Sequence, residues 1–253
     1  MRPMSGRVLL LLLTCAFTAC DSGDNAAPDP LDTLAPTNTL PAARTTAAPL
    51  ATTSDTAAPL TSPAGALALS ADGPWKLVDS APGITTPGLV YELMPGLWAY
   101  LPTVEDIPNG ITWVLNKDDL PVIEAYLMAR LTYYRAVTSH PMDFTSPDWA
   151  KYYTDGGARL RTVFEPMSAL GQAADLSAGV VLRPTVAGEN RSETSALVLD
   201  CTLDGGVIRN LDGSLAPGST LGTSQSGVAA SFKSSSHAWV LDRINDEVSG
   251  ACV

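Results

Sequence analysis

The chain has 253 residues, of which 45% are hydrophobic and 16% charged, and its formal net charge is −11 at pH 7. This length accommodates one ordinary domain together with substantial additional sequence. With 15 basic against 26 acidic residues, the composition argues against a nucleic-acid partner, because DNA and RNA are bound by clustered Lys and Arg side chains.

Residues 1–19 are predicted to be an export signal peptide. Arg2 and Arg7 precede an apolar stretch at 8–19, an arrangement typical of secretory signals. A transmembrane helix needs about 20 apolar residues, so this shorter stretch is expected to be cleaved.

The end of the signal resembles a bacterial lipobox, in the order Phe17, Thr18, Ala19 and Cys20. This resemblance implies that Cys20 becomes the first residue of the mature chain and carries acyl chains. The protein is then expected to be exported and held on a membrane of the cell envelope by lipid. The alternative is a secreted protein with an unusual cleavage site, in which Cys20 is free or disulfide-bonded.

Residues 20–70 are predicted to be a disordered tether. The segment is rich in Ala, Thr, Pro and Ser and contains no aromatic residue. Such a composition does not bury enough apolar surface to offset the entropy of ordering. It functions either as a bare spacer or as an O-glycosylated one.

Residues 71–115 are predicted to be a β-hairpin extension. Short β-type runs lie at 75–78, 88–93, 97–102 and 111–115, separated by Pro-Gly and Asn-Gly pairs, which favour hairpin turns. The segment is too small for an independent core, so we expect it to pack against the sequence that follows.

Three helices are predicted next. The longest runs from the Asp119 region to about Thr138, because apolar residues recur at spacings of three and four. A short helix follows at 146–153, and a third at 158–174. The residues expected to face inward from the third helix are Leu160, Val163, Phe164, Met167 and Leu170.

The remainder of the chain is predicted to form strands, at 180–186, 194–203, 207–209, 227–233 and 237–244. Consecutive strands joined by short turns indicate an antiparallel sheet. The predicted fold class is therefore α+β, with three helices packed on a curved four-stranded antiparallel sheet and the long helix in its concavity.

Residues 119–126, 152–154, 199–201 and 239–252 resemble the corresponding parts of bacterial nuclear transport factor 2-like lipoproteins. The resemblance covers roughly residues 116–253 and implies that they form one cone-shaped domain. It also implies a cysteine in a central strand and another at the C-terminus. In enzymatic relatives, Asp, His or Tyr residues inside the cone move protons on small molecules.

Cys201 and Cys252 are expected to form a disulfide. Cys15 leaves with the signal and Cys20 is acylated, so these two of the four cysteines remain to pair in an oxidising compartment. The alternative, two thiols in a metal site, lacks partners, because neither histidine lies at ligand spacing. No metal or other cofactor is expected.

Asp200 and His237 are the candidate acid/base residues. His140 and His237 are the only histidines, and we expect His140 in a loop and His237 either in a turn or facing the mouth of the cone. Asp200 lies either inside the cone as a base or at a strand end. No Gly-x-Ser-x-Gly elbow for Ser/His/Asp catalysis is present.

An aromatic group supplies the candidate ligand-binding residues, which line an apolar cavity or simply belong to the core. These residues are Tyr133, Tyr134, Trp149, Tyr152 and Tyr153.

The leading functional hypothesis is a non-catalytic, membrane-tethered lipoprotein whose cone domain binds a small apolar ligand or an envelope protein. The first alternative is an isomerase or dehydratase that uses Asp200 or His237. The second is an interaction module with a filled cone, which would use the hairpin region around Trp98 and the sheet face.

Overall fold

The structure, a computed structural model, describes residues 67–106, 112–235, 238–246 and 252. The predicted signal peptide, Cys20, the tether up to residue 66 and His237 lie outside the described residues.

Three helices and ten strands are described within these residues. The helices are α1 (Leu120–Val137), α2 (Asp148–Tyr152) and α3 (Ala158–Ala169). The first five strands are β1 (Lys76–Val78), β2 (Gly88–Met94), β3 (Leu97–Pro102), β4 (Ala173–Asp175) and β5 (Val180–Leu182). The other five are β6 (Pro184–Val186), β7 (Ser195–Asp204), β8 (Val207–Arg209), β9 (Ser224–Ser235) and β10 (Ala238–Asp246).

Most strands belong to one eight-stranded mixed sheet. Its order is β1-β2-β3-β5-β7-β9-β10, and β6 also pairs with β7. The pairing of β3 with β5 is parallel, with Leu97 opposite Val180, whereas the other pairs in this sheet are antiparallel. Strands β4 and β8 form a separate two-stranded sheet.

The predicted fold class, a cone of three helices packed on a curved four-stranded antiparallel sheet, is wrong. The strands expected to form a hairpin extension are instead part of the main sheet, because β3 pairs with β5. The parallel pair makes the sheet mixed, and β8 leaves it to pair with β4. Local alternation identified these segments as strands, but their partners depend on long-range contacts that alternation does not encode.

Helix α1 contributes more buried side chains to the core than the other two described helices. It begins at Leu120 with Pro121 in its first turn, close to the predicted start, because proline suits a position whose N–H has no helical partner. Ile123, Leu127 and Leu131 are fully buried, and burying each such side chain contributes about 1.5–3 kcal/mol. No helix within the described ranges is long and apolar enough to cross a bilayer.

Helix α3 lies at the surface, contrary to the prediction that five of its apolar residues face inward. None of its residues is fully buried, and Val163 and Leu170 are 60% and 71% exposed. Leu160, Phe164 and Met167 pack only partly against the core. The helical periodicity was correct, but the neighbouring elements cover only one edge of the helix.

The predicted strand at 180–186 is interrupted at Arg183, between β5 and β6. The backbone N–H of Arg183 donates to Oδ1 of Asp200 at 2.7 Å, so this group is used by a side chain instead of the strand ladder. Asp200 itself is fully buried on β7.

The predicted disulfide between Cys201 and Cys252 is confirmed, with the two Cα atoms 4.7 Å apart. It joins β7 to the end of the chain across a sequence separation of 51 residues. The Nη2 group of Arg183 donates to Sγ of Cys201 at 2.8 Å.

Candidate functional site

Asp200 and Tyr126 form a hydrogen-bonded pair in the core. Asp200 on β7 and Tyr126 on α1 are both fully buried, and the Tyr126 hydroxyl donates to Oδ2 of Asp200 at 2.5 Å. With the Arg183 N–H on Oδ1, each carboxylate oxygen accepts a hydrogen bond. This arrangement satisfies a polar group that is costly to bury alone.

Arg130 lies one helical turn after Tyr126 and is 7% exposed. Its Nη2 group donates to the Tyr134 hydroxyl at 3.1 Å. The guanidinium carbon lies 5.3 Å from the ring centroid of Tyr133 and 5.1 Å from that of Tyr134, which is cation–π distance. Because the spacing of Tyr126, Arg130 and Tyr134 is four, all three side chains lie on one face of α1.

Burial and neighbouring charges shift the pKa values of Asp200 and of the three α1 side chains around it. Desolvation raises the pKa of Asp200 above its usual value, although the Tyr126 hydrogen bond and the charge of Arg130 oppose the shift. Burial also raises the pKa of Tyr126 well above its usual value, and that of Tyr134 to about 12. Burial works against the charge of Arg130, but its tyrosine neighbours and Asp200 still raise its pKa.

A cavity of about 490 Å³ adjoins this group at Tyr134, and we refer to it as the tyrosine cavity. Its apolar wall combines buried and half-buried side chains from α1, α3, β8 and the segment 174–176. The residues of this wall are Tyr133, Tyr134, Val137, Phe164, Ala174, Leu176, Val207 and Ile208, and the exposed Leu221 adds apolar lining from the loop 218–224. The rings of Tyr133 and Phe164 meet edge to face at 5.5 Å between centroids.

The other wall of the tyrosine cavity is polar. It comprises the loop 218–224, which carries four hydroxyl side chains, and Asp204 at the end of β7. Gly218 and Gly222 have positive φ angles of 86° and 123°, a backbone region that glycine adopts without strain. The loop therefore contributes backbone and hydroxyl groups to the cavity lining.

A second cavity of about 550 Å³ lies between α2 and α3, and we refer to it as the surface cleft. Met142, Phe144 and Trp149 supply its buried part. Much of the remaining lining is exposed, and the Arg161 guanidinium within it donates to the Phe144 carbonyl at 3.2 Å.

The structure separates the predicted ligand-binding residues. Tyr133 and Tyr134 line the tyrosine cavity, whereas Trp149 lines the surface cleft. Tyr152 is half-buried and lies under the Lys151 ammonium at 4.9 Å. Tyr153 is a core residue whose hydroxyl donates to the Ala129 carbonyl at 2.7 Å.

Of the two predicted acid/base residues, the structure describes only Asp200. Asp200 is fully buried and lines neither the tyrosine cavity nor the surface cleft. His140 precedes Pro141 in the segment after α1, as expected of a loop residue, and the prediction for His237 lies outside the described residues. The pairing of Asp200 with Tyr126 therefore has the form of a structural hydrogen bond.

Sequence reasoning did not identify Arg130 and Asp204 as site residues. A charged residue at position 130 within the apolar stripe of α1 was a usable signal, because a buried arginine requires nearby partners. Asp204 was interpreted only as part of the Asp-Gly-Gly turn, where its Oδ1 indeed accepts the Gly206 N–H at 2.8 Å.

Within the described part of the chain, no group of three or more His, Cys, Asp or Glu side chains is arranged to hold a metal ion. No protein-family model matches the chain, and no curated protein is significantly similar to it.

Proposed function

We propose that the protein is a lipid-anchored binding protein of the bacterial cell envelope, and that it binds a small, largely apolar ligand in the tyrosine cavity. The observation that carries the proposal is a cavity of about 490 Å³ with an aromatic and aliphatic wall facing a hydroxyl-bearing loop. Small-molecule sites typically enclose about 300–1,000 Å³ and combine an apolar lining with a few polar groups.

The aromatic wall is held in place by the buried polar group behind it. Arg130 donates to the Tyr134 hydroxyl and stacks on both tyrosine rings, and Asp200 contributes favourable charge to Arg130. A wall fixed in this way before binding reduces the entropy lost when the ligand enters.

The cellular location in this proposal is supported by the lipobox-like residues ending in Cys20. The Cys201–Cys252 disulfide agrees with it, because such bonds persist in oxidising compartments outside the cytoplasm. The ligand is therefore expected among molecules of the envelope or the external medium.

The ligand-binding proposal is tested by extracting bound compounds from the full-length acylated protein, purified in mild detergent from its native envelope. Ala174 is half-buried and lines the tyrosine cavity, whereas the exposed Ala150 lines the surface cleft. We expect mass spectrometry to recover one compound from the wild type and from Ala150→Phe, but not from Ala174→Phe. Equal recovery from Ala174→Phe, or no compound from the wild type, would contradict the proposal.

The lipid anchor is tested separately by growing cells with a clickable fatty acid and comparing the wild type with Cys20→Ser. We expect the label on the wild type only, together with release of the Cys20→Ser protein from the membrane fraction. A Cys15→Ser variant is the matched control, since Cys15 lies inside the predicted signal, and it should still be labelled. Labelling of Cys20→Ser would overturn the assignment.

A further inference from the structure

The tyrosine cavity has one charged group in its described lining, the Asp204 carboxylate. Asp204 is half-buried at the end of β7. Among the described residues it has no ion-pair partner. Its Oδ1 atom accepts the Gly206 N–H, and a carboxylate has capacity for further hydrogen bonds on both oxygens.

The nearest buried cation, Arg130, is committed elsewhere. It lies behind the aromatic wall, where it donates to Tyr134 and contacts the faces of the Tyr133 and Tyr134 rings. Arg130 does not line the cavity. Arg130 already occupies the cation-binding faces of the two rings. A positively charged ligand group would therefore pair with Asp204, and the rings would pack against the apolar part of the ligand.

We propose that the ligand of the tyrosine cavity carries a positively charged nitrogen, such as an ammonium group, beside a compact apolar body, and that Asp204 binds this nitrogen. The inference rests on the proposed ligand-binding function of the same cavity. A hydrogen bond between an ammonium and a carboxylate is charge-assisted and stronger than a neutral one, and its strength increases where the pocket walls exclude water.

Three probes that share a phenyl ring on a two-carbon chain and differ in the polar group test the charge preference: phenethylamine, 2-phenylethanol and 3-phenylpropionate. Each is titrated into the isotope-labelled full-length protein in detergent micelles and followed by NMR chemical shifts. We expect the amine to bind at least about tenfold more tightly than the alcohol, the usual size of a hydrogen bond to a charged group, and we expect the carboxylate to bind most weakly.

Asp204→Asn is the decisive variant, because its side-chain oxygen still accepts the Gly206 N–H and the turn is retained. We expect it to remove the amine preference while leaving alcohol binding unchanged. Asp79→Asn is the matched control, since Asp79 is exposed and does not line the cavity, and it should keep the wild-type preference.

The possible results separate this inference from the function on which it rests. Equal or tighter binding of the alcohol or the carboxylate to the wild type overturns the charge assignment alone. The same conclusion follows if the amine preference survives in Asp204→Asn. If none of the three probes shifts the resonances of the cavity residues at millimolar concentration, the charge assignment is overturned. The ligand-binding function itself fails if extraction of the native protein recovers no compound.

Discussion

The hydroxyl of Tyr126 on α1 donates a 2.5 Å hydrogen bond to Oδ2 of Asp200 on β7. The two residues are 74 positions apart in the chain and both are fully buried. The bond therefore fixes the position of α1 along the sheet. Arg130, one turn further along the helix, then lies behind the wall of the tyrosine cavity, and Tyr134, two turns further, forms part of that wall.

Replacing Tyr126 with Phe is expected to destabilise the protein by about 1–3 kcal/mol, because it leaves a buried carboxylate oxygen without its donor. Tyr153→Phe is the matched control. Its hydroxyl binds the Ala129 carbonyl, which also accepts an intrahelical bond, so a smaller loss of about 1 kcal/mol is expected. Urea unfolding of both variants measures the difference, and an equal cost would contradict the importance assigned to the Asp200 pair.

Asp200→Asn is expected to gain stability relative to the wild type as the pH rises. Burial raises the folded-state pKa of Asp200 above the ordinary value of 3.8, so the folded state binds more protons than the unfolded state between these two values. The stability contributed by Asp200 is then fully present below pH 3.8 and is lost as the pH rises through the folded pKa. Asparagine does not titrate and lacks this loss.

Asp143→Asn supplies the opposite slope as a control. The exposed Asp143 accepts hydrogen bonds from the side chain and backbone of Thr145, which lower its pKa. The stability that ionised Asp143 contributes to the folded state is therefore present above the ordinary aspartate pKa and is lost as the pH falls through the lower folded-state pKa. Unfolding free energies measured between about pH 2 and pH 8, a range that includes the region below pH 3.8 in which the Asp143 contribution is lost, should change in opposite directions for the two variants relative to the wild type; parallel curves would disprove the assignment.

Removing the Cys201–Cys252 disulfide by changing both cysteines to serine is expected to cost about 4 kcal/mol in the chain-entropy account. The estimate follows from the sequence separation of 51 residues. Urea unfolding of the double variant should agree with that of the reduced wild type, since both lack the crosslink. A midpoint equal to that of the oxidised wild type would show that the bond contributes no stability.

Gly157→Ala is expected to destabilise the protein more than Gly156→Ala. Both residues have positive φ angles, 77° and 60°, and a left-handed conformation costs alanine about 1–2 kcal/mol. Only at Gly157 would the added Cβ also meet Trp149, at 2.2 Å from its Cε3 atom, whereas nothing lies within 4 Å at Gly156. Overpacking of this kind adds about 1–3 kcal/mol, and thermal unfolding of the two variants should show the difference.

The candidate site was only partly predictable from sequence. Periodicity correctly placed Tyr133 and Tyr134 on the long helix, but it gave no information on whether their rings would face a cavity or the core. Trp149, Tyr152 and Tyr153 looked equivalent to them in sequence, yet the structure places Trp149 in a surface cleft, Tyr152 under the Lys151 ammonium and Tyr153 in the core.

Local patterns by themselves determined the start of α1 and the positions of most strands, because a proline in the first helical turn and alternation act over a few residues. The pairing of Cys201 with Cys252 followed by elimination, once Cys15 and Cys20 were assigned to the predicted signal and lipid anchor. Local patterns also carry the prediction of a lipid anchor at Cys20. Only the tertiary structure decided that β3 pairs in parallel with β5, that α3 lies at the surface, and that Asp204 and Tyr134 line the same cavity. These outcomes depend on which distant segments bury surface together, and that balance is set by the whole chain.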